Sequence, residues 1–325
     1  AQFDEDTAES QSASLFIQQL DPQKTPDINL RRRAAFALGQ LEPTDETVDA
    51  LAKALADPQM ETRWYAIDAL GRLGPAAANK TPDIIRSLKS KVNDATVRRR
   101  GARALGRIGP QAREETEDAV VVLEEALASL DALYRVEAAL ALWRIQQDAR
   151  ALPALLELAE HDDPRVAFAA VMAVGQTQAA SPDVIAALVG AVDRNDADVR
   201  QAAVYALSQI GAAALKPLSE AITSKEVDPV AAATAVGMIV DRVRLKTLYR
   251  EQTTQAQFDG AVQPIRRDVL PALATQLGSS DPSTNQAAGL AMAKAGTIAI
   301  PQLLSALDSP DPTTRSAAGK ALVRI

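Results

Sequence analysis

The residues that could carry chemistry are few. One histidine, His161, stands beside Asp162 and Asp163, and a single imidazole cannot supply the facing histidines that many metal enzymes use. Asp193, Asn195, Asp196 and Asp198 crowd one turn and invite a calcium reading. A calcium loop begun at Asp193 would, however, put Asp198 where the loop needs glycine and Val204 where it needs a bidentate glutamate. Capping of a helix explains the cluster better. Cysteine is absent, which removes thiolate nucleophiles, disulfides and cysteine-based metal sites together. Neither a phosphate-cradling glycine loop nor a nucleophile-elbow serine occurs. These residues assign no catalytic group, no metal ligand and no cofactor.

Charge is the feature that points to binding. Residues 57–113 hold 12 Lys and Arg against 5 Asp and Glu, and residues 114–131 hold 7 Asp and Glu with no basic residue. Within the basic stretch Arg99, Arg103 and Arg107 recur every four residues, so on a helix they line one face, turned away from Arg98. Such a stripe suits an acidic protein surface or a lipid headgroup, with partial neutralisation by the acidic stretch that follows. The whole chain carries a net charge of -7 and a pI near 5.0, which argues against general nucleic-acid binding, since counterion release demands a basic surface.

These residues sit on a repeating framework. The stretch Asp94 to Pro110 reads DATVRRRGARALGRIGP: an Asp opens a helix, an Arg follows four residues later, then small residues, then an Ala-Leu-Gly that closes it. The Arg slot recurs at Arg31, Arg63, Arg98, Arg135, Ala167, Arg200, Ala232, Asn285 and Arg315, in steps of 32, 35, 37, 32, 33, 32, 53 and 30 residues. A period in this range marks a stacked-repeat architecture. Each unit reads as two helices, the second opened by proline at Pro82, Pro153, Pro182, Pro217, Pro271 or Pro301, and glycines at Gly74, Gly109 and Gly211 punctuate the first; both placements follow from the unpartnered groups at helix ends. With 47% hydrophobic but only 3% aromatic residues, the core is aliphatic. Small pairs such as Ala34 and Ala35 or Gly101 and Ala102 let helices approach closely. The fold class is all-α.

These units resemble HEAT repeats, in the short Ala-rich form named after phycobilisome lyases, over residues 28–325. The resemblance implies a right-handed α-α superhelix of about nine helix pairs, with the first helix of each pair on the convex side, the slot arginines paired with Asp between adjacent repeats, and partners held on the concave face. Loss of the Arg at Ala167, Ala232 and Asn285 then predicts weaker ties in the second half, provided nothing replaces them. HEAT-like iron hydroxylases carry His-Glu pairs, which this sequence lacks. HEAT-like DNA glycosylases combine a basic groove with aromatic residues, whereas Trp64 and Trp143 fall at separate helix positions that suit packing.

The 53-residue step marks an insertion at about 241–267, where repeat proteins often bind. Arg242, Arg244, Lys246 and Arg250 cover its helical part, and Tyr249 and Phe258 offer aromatic anchors. Residues 1–14 read as an acidic flexible tail, with Ser14 opening a short helix that covers the end of the array; residues 15–325 read as one continuous solenoid. The longest charge-free run, Val166 to Pro182, suits a buried helix rather than a membrane span. A chain starting Ala-Gln looks like a processed mature protein, so the expectation is export to a periplasm or lumen, with the cytoplasm as the alternative. The functional expectation is a non-enzymatic interaction scaffold or assembly subunit of a bacterial multiprotein complex, binding folded proteins, acidic ones included. A phycobilin lyase or isomerase-like subunit and a peripheral membrane-surface binder are the alternatives.

Overall fold

The structure is a computed structural model that describes residues 2–90, 94–224, 227–248, 260 and 262–325. Its contacts group the chain into two compact units, Ala1–Leu158 and Ala159–Ile325. In the first unit α1 (Gln2–Leu20) precedes the first helices α2 (Ile28–Leu38), α4 (Met60–Leu73), α6 (Ala95–Ile108) and α9 (Ala132–Gln146). Between them run the second helices α3 (Asp45–Ala54), α5 (Thr81–Lys89), α8 (Asp118–Ala126) and α10 (Ala151–Ala159), with a short α7 (Pro110–Glu115). In the second unit the first helices are α11 (Pro164–Thr177), α13 (Ala197–Ile210), α15 (Pro229–Leu248), α17 (Pro282–Ala295) and α19 (Pro312–Leu322). The second helices there are α12 (Pro182–Ala191), α14 (Leu215–Ser224), α16 (Leu270–Leu277) and α18 (Ile300–Leu307). All described elements are helical, and the all-α solenoid expected from the period is the fold.

Each recurring residue type has a local job. The Asp four residues before the slot caps its helix: Asp94 accepts from the Val97 N–H at 2.9 Å, and Asp131, Asp196, Asp281 and Asp311 do the same for their own first turns. The slot arginine does not chiefly reach for an Asp of the next repeat, as the resemblance implies. In four repeats its Nη1 donates instead to two backbone carbonyls in the turn just before its own helix, while Arg135 Nη2 pairs with Glu157 on the second helix of its own repeat. Arg31 holds Thr25 and Pro26, Arg63 holds Asp57 and Pro58, Arg200 holds Arg194 and Asn195, and Arg315 holds Ser309 and Pro310. A guanidinium fork suits this task because it can satisfy two carbonyls that no helix serves. Arg31 adds a buried ion pair to Asp57 in the turn of the next repeat, at 2.9 Å.

Loss of the slot arginine is made good at Ala167. Arg194, from the following turn, donates to the carbonyls of Glu160 and His161 at 3.3 and 2.8 Å, so the tie crosses repeats where the local one is missing. The turn before Ala232 is also tied across, by the Asp228 N–H donating to Asp193 Oδ1 at 3.1 Å.

The Ala-Leu-Gly glycine does not end the first helix in most repeats. Gly71, Gly106 and Gly175 lie inside α4, α6 and α11, and a Cβ there would sit 2.9, 2.8 and 3.0 Å from the Cα of Ala104, Ala141 and Ala206 in the next first helix. First helices therefore touch backbone to backbone within each unit, while second helices contact one another far less. The actual stops are Gly74, Gly109, Gly211 and Gly296, all at positive φ, where the missing Cβ removes the steric cost. Gln147 and Gln178 take the same left-handed conformation.

Two further expectations change. Residues 2–20 form one helix where the sequence predicts a tail to residue 14 and a helix from Ser14; Ala, Gln and Glu are good helix formers, and acidic residues near a helix start complement its dipole. Ala13, Phe16, Ile17 and Leu20 anchor it on the first unit's core. The run Pro282–Leu307 has a mean hydropathy of 1.3 and the length of a membrane span, but Gly296, at φ 62°, breaks it into α17 and α18.

Candidate functional site

Helix α6 carries the predicted stripe, and the structure divides it. Arg99 Nε donates to Asp131 Oδ2 at 2.8 Å, and Arg103 pairs with Glu137 through Nη2 and, at 3.1 Å, through Nε. Both therefore clamp α6 to α9. Arg107 is exposed and, among the described residues, makes no hydrogen bond or ion pair. The neighbouring Arg100 pairs with Asp68 and lies over the Trp64 ring, 5.8 Å from its centroid, while Trp64 Nε1 donates to Asp94. Trp64 and Trp143 pack against the core, as their positions suggested.

Arg107 belongs to a different row. Nine residues after the slot stand Arg72 on α4, Arg107 on α6 and Arg144 on α9, while the same position after the α2 slot is Gln40. Arg72 stacks over the Phe36 ring at 5.0 Å, and its Nε and Nη2 are buried without a hydrogen-bond partner. Arg72, Arg103 and Arg107 line an open hollow of about 560 Å³, floored by Gly71 and Gly74 and edged by Asp68. Burial, then the charge of Arg107, pushes the Arg72 guanidinium below its ordinary pKa. Burial, then Arg103, does the same to Arg107, and burial, then Arg107, to Arg144. Arg103 moves the other way because Glu137 accepts its hydrogen bond. All four stay charged at neutral pH.

In the second unit the first-helix face turns apolar. Phe168, one residue after its slot, and Tyr205 and Leu290, five after theirs, are exposed large side chains. Phe168, Met172 and Tyr205, with Pro164 and Gln201, line an open hollow of about 640 Å³ between α11 and α13. Phe36 is exposed five after its own slot on α2. Sequence reasoning passed over these residues, although reading the columns one and five after the slot, rather than the slot itself, would have found them.

The remaining predicted positions do not converge. Arg242 is half-buried on α15, which continues through Arg244 and Lys246 to Leu248; Tyr249, Arg250 and Phe258 lie outside the described residues. His161 Nδ1 accepts the Asp163 N–H at 2.9 Å. That is the job done two residues before the cap by Asp57, Ser129, Ser279 and Ser309 in other repeats. In the acidic turn Asp196 caps α13 while Asp193 binds the next turn. Among the described residues no three His, Asp or Glu side chains form a group that could hold a metal.

A family model described as HEAT repeats matches residues 13–105, 120–207 and 177–238, and one described as PBS lyase HEAT-like repeat matches residues 97–129. No curated protein matches the chain in sequence. Among solved structures, a full-length AP-3 complex, itself a homology model, is 18% identical over 92% of this chain and 55% of its own, with a TM-score of 0.53. Importin beta is 17% identical over 97% and 45%, with a TM-score of 0.52. The complex of CpcE and CpcF of phycocyanin lyase from Nostoc sp. PCC7120 is 21% identical over 63% and 79%, with a TM-score of 0.47. At these identities the likeness to the first two shows the fold alone.

Proposed function

Because the chain belongs to the family of HEAT-repeat proteins, we propose that it is a non-enzymatic scaffold, an assembly subunit that holds folded protein partners on the face made by its first helices. The observation that carries this reading is the exposure of Phe168, Tyr205 and Leu290 on first helices of the second unit, Tyr205 and Leu290 in the same repeat column. A repeat that merely stacked would gain nothing by leaving them in water, whereas apolar side chains gathered on one face are how protein-binding surfaces are built. The polar neighbours Gln201, Arg165, Asp196 and Asp198 around the second unit's hollow supply the rim that such surfaces carry.

The test is site-specific photo-crosslinking in the native host, with the probe at position 168 or 205 and a control at Lys216 on the opposite helix layer. The expected result is a small, reproducible set of protein adducts from 168 and 205 that the control does not give. Equal labelling from all three positions would refute the reading. Recovery of a bound pigment with visible absorbance and no protein would instead favour a phycobilin lyase-like subunit.

A further inference from the structure

The hollow on the second unit joins apolar side chains to negative charge that the protein does not balance there. Phe168, Met172 and Tyr205 line it together with Asp196 and Asp198, and Arg165 stands on its rim. Helices α11 and α13 touch backbone to backbone further along, at Gly175 and Ala206, so the layers are joined without the hollow being filled. Phe168 and Tyr205 are left 40% and 47% exposed, apolar surface that an occupant would remove from water. The turns at 160–165 and 193–200 hold six carboxylates against three arginines, and each of those arginines already has a partner. Arg165 pairs with Asp163, while Arg194 and Arg200 donate to backbone carbonyls of the same turns. Asp196 uses one oxygen to cap α13. Asp198 is exposed and, among the described residues, makes no ion pair.

We propose that this hollow takes a basic segment of a partner protein: an aromatic or aliphatic side chain enters beside Phe168 and Tyr205, and a neighbouring lysine or arginine meets Asp198 and the second oxygen of Asp196. The inference rests on the scaffold reading and deepens it by naming the partner's chemistry at that site. An occupant without a cation would strip water from the Asp198 carboxylate and give nothing in return, a cost that a paired charge offsets. Phosphate-bearing occupants, whether nucleic acid or an anionic lipid surface, would meet carboxylates where they need cations. The two rings add to the preference, since an aromatic face attracts a cation as well as an apolar group.

Fluorescence anisotropy with the intact chain tests this. The probe is a labelled peptide with a Phe-Leu pair between lysines; one control replaces its lysines by Glu, and another replaces its Phe and Leu by Ala. The lysine peptide should bind about tenfold more tightly than either control, with affinity falling as sodium chloride is raised. Phe168→Ala should weaken binding about tenfold and Asp198→Asn about threefold, while Glu220→Gln, on second helix α14, should leave it unchanged. Asp198 is exposed, so its variant should keep the helical circular dichroism of the parent. A lysine peptide bound no more tightly than the Glu peptide, full binding of the alanine control, or indifference to both Phe168→Ala and Asp198→Asn would each overturn the proposal. Protein adducts from positions 168 and 205 alongside any of those results would leave the scaffold reading standing while the basic segment fell.

Discussion

Replacing Arg31 by Met tests how the repeats are tied together. The Arg31 and Asp57 side chains are 4% and 0% exposed. Arg31 Nε and Nη2 donate to Asp57 at 2.9 and 3.3 Å, while Nη1 donates to the carbonyls of Thr25 and Pro26. Methionine fills much of the same volume but removes every one of these donors. The Asp57 carboxylate would keep only the Gln59 N–H and would otherwise lie buried and unpaired, a situation that costs about 3–5 kcal/mol. Because repeat arrays lose stability locally, the loss should concentrate in α2 to α4. Hydrogen exchange read by mass spectrometry is therefore the assay: amides over residues 28–73 should open more easily by about 3–5 kcal/mol, and those of the second unit should not change. The double variant Arg31→Met with Asp57→Leu should recover most of the loss, since an apolar pair of similar volume often replaces a buried ion pair without penalty. A single variant costing less than about 1 kcal/mol, or a double variant as costly as the sum of the singles, would refute the reasoning.

Other consequences are checked more briefly. Gly106→Val should cost about 1–3 kcal/mol in urea unfolding, because even a Cβ there would meet the Ala141 backbone at 2.8 Å and the first helices must separate. His161→Ser should be nearly neutral and His161→Leu should cost about 1 kcal/mol, since only the acceptor for the Asp163 N–H matters; neither should alter binding of zinc ions measured by calorimetry. Burial pushes the Tyr134 hydroxyl from its usual pKa near 10 up to about 12, with Arg98 opposing and Glu125 and Asp131 reinforcing the shift. An acid whose folded pKa is raised gives stability that is present below its unfolded pKa and lost as pH climbs toward the folded one. Unfolding monitored between about pH 10 and pH 12 should therefore show an alkaline loss that Tyr134→Phe lessens.

The framework was legible because it rests on backbone needs that repeat. An Asp cap, a second-helix proline and a positive-φ glycine each answer an unpartnered or strained backbone group, so they recur at fixed offsets and show in one sequence. The partner of a long side chain is a different matter. Arg99, Arg103 and Arg107 are equivalent on a helical wheel, yet the first two meet Asp131 and Glu137 of the next helix and the third forms no ion pair among the described residues, feeling the charges of Arg103 and Glu137. That outcome depends on how far α9 is shifted along α6, which periodicity does not specify. The glycine of Ala-Leu-Gly misled for a related reason: glycine serves both helix termination and close approach, and only the neighbouring helix, with Ala104 or Ala141 against it, distinguishes the two. At the insertion, Arg242 and its helix can be placed, while the aromatic anchors Tyr249 and Phe258 fall outside the described residues.

The arginine row also bears on stability. In a repeat array each layer need only satisfy its neighbours, and the clamps Arg99–Asp131 and Arg103–Glu137 already do so between α6 and α9. Arg107 is repelled by Arg72, Arg103 and Arg144 against the single attraction of Glu137, and it makes no ion pair of its own among the described residues. Its removal should then stabilise the unbound protein. Exposure and screening keep the effect small, about 0.2–0.5 kcal/mol for Arg107→Gln, the size of a like-charge pair on a helix surface. The gain should shrink as salt rises, and urea midpoints at low and high ionic strength would show both trends. A less stable Arg107→Gln would mean that the side chain holds the layers together and would refute the balance of charges.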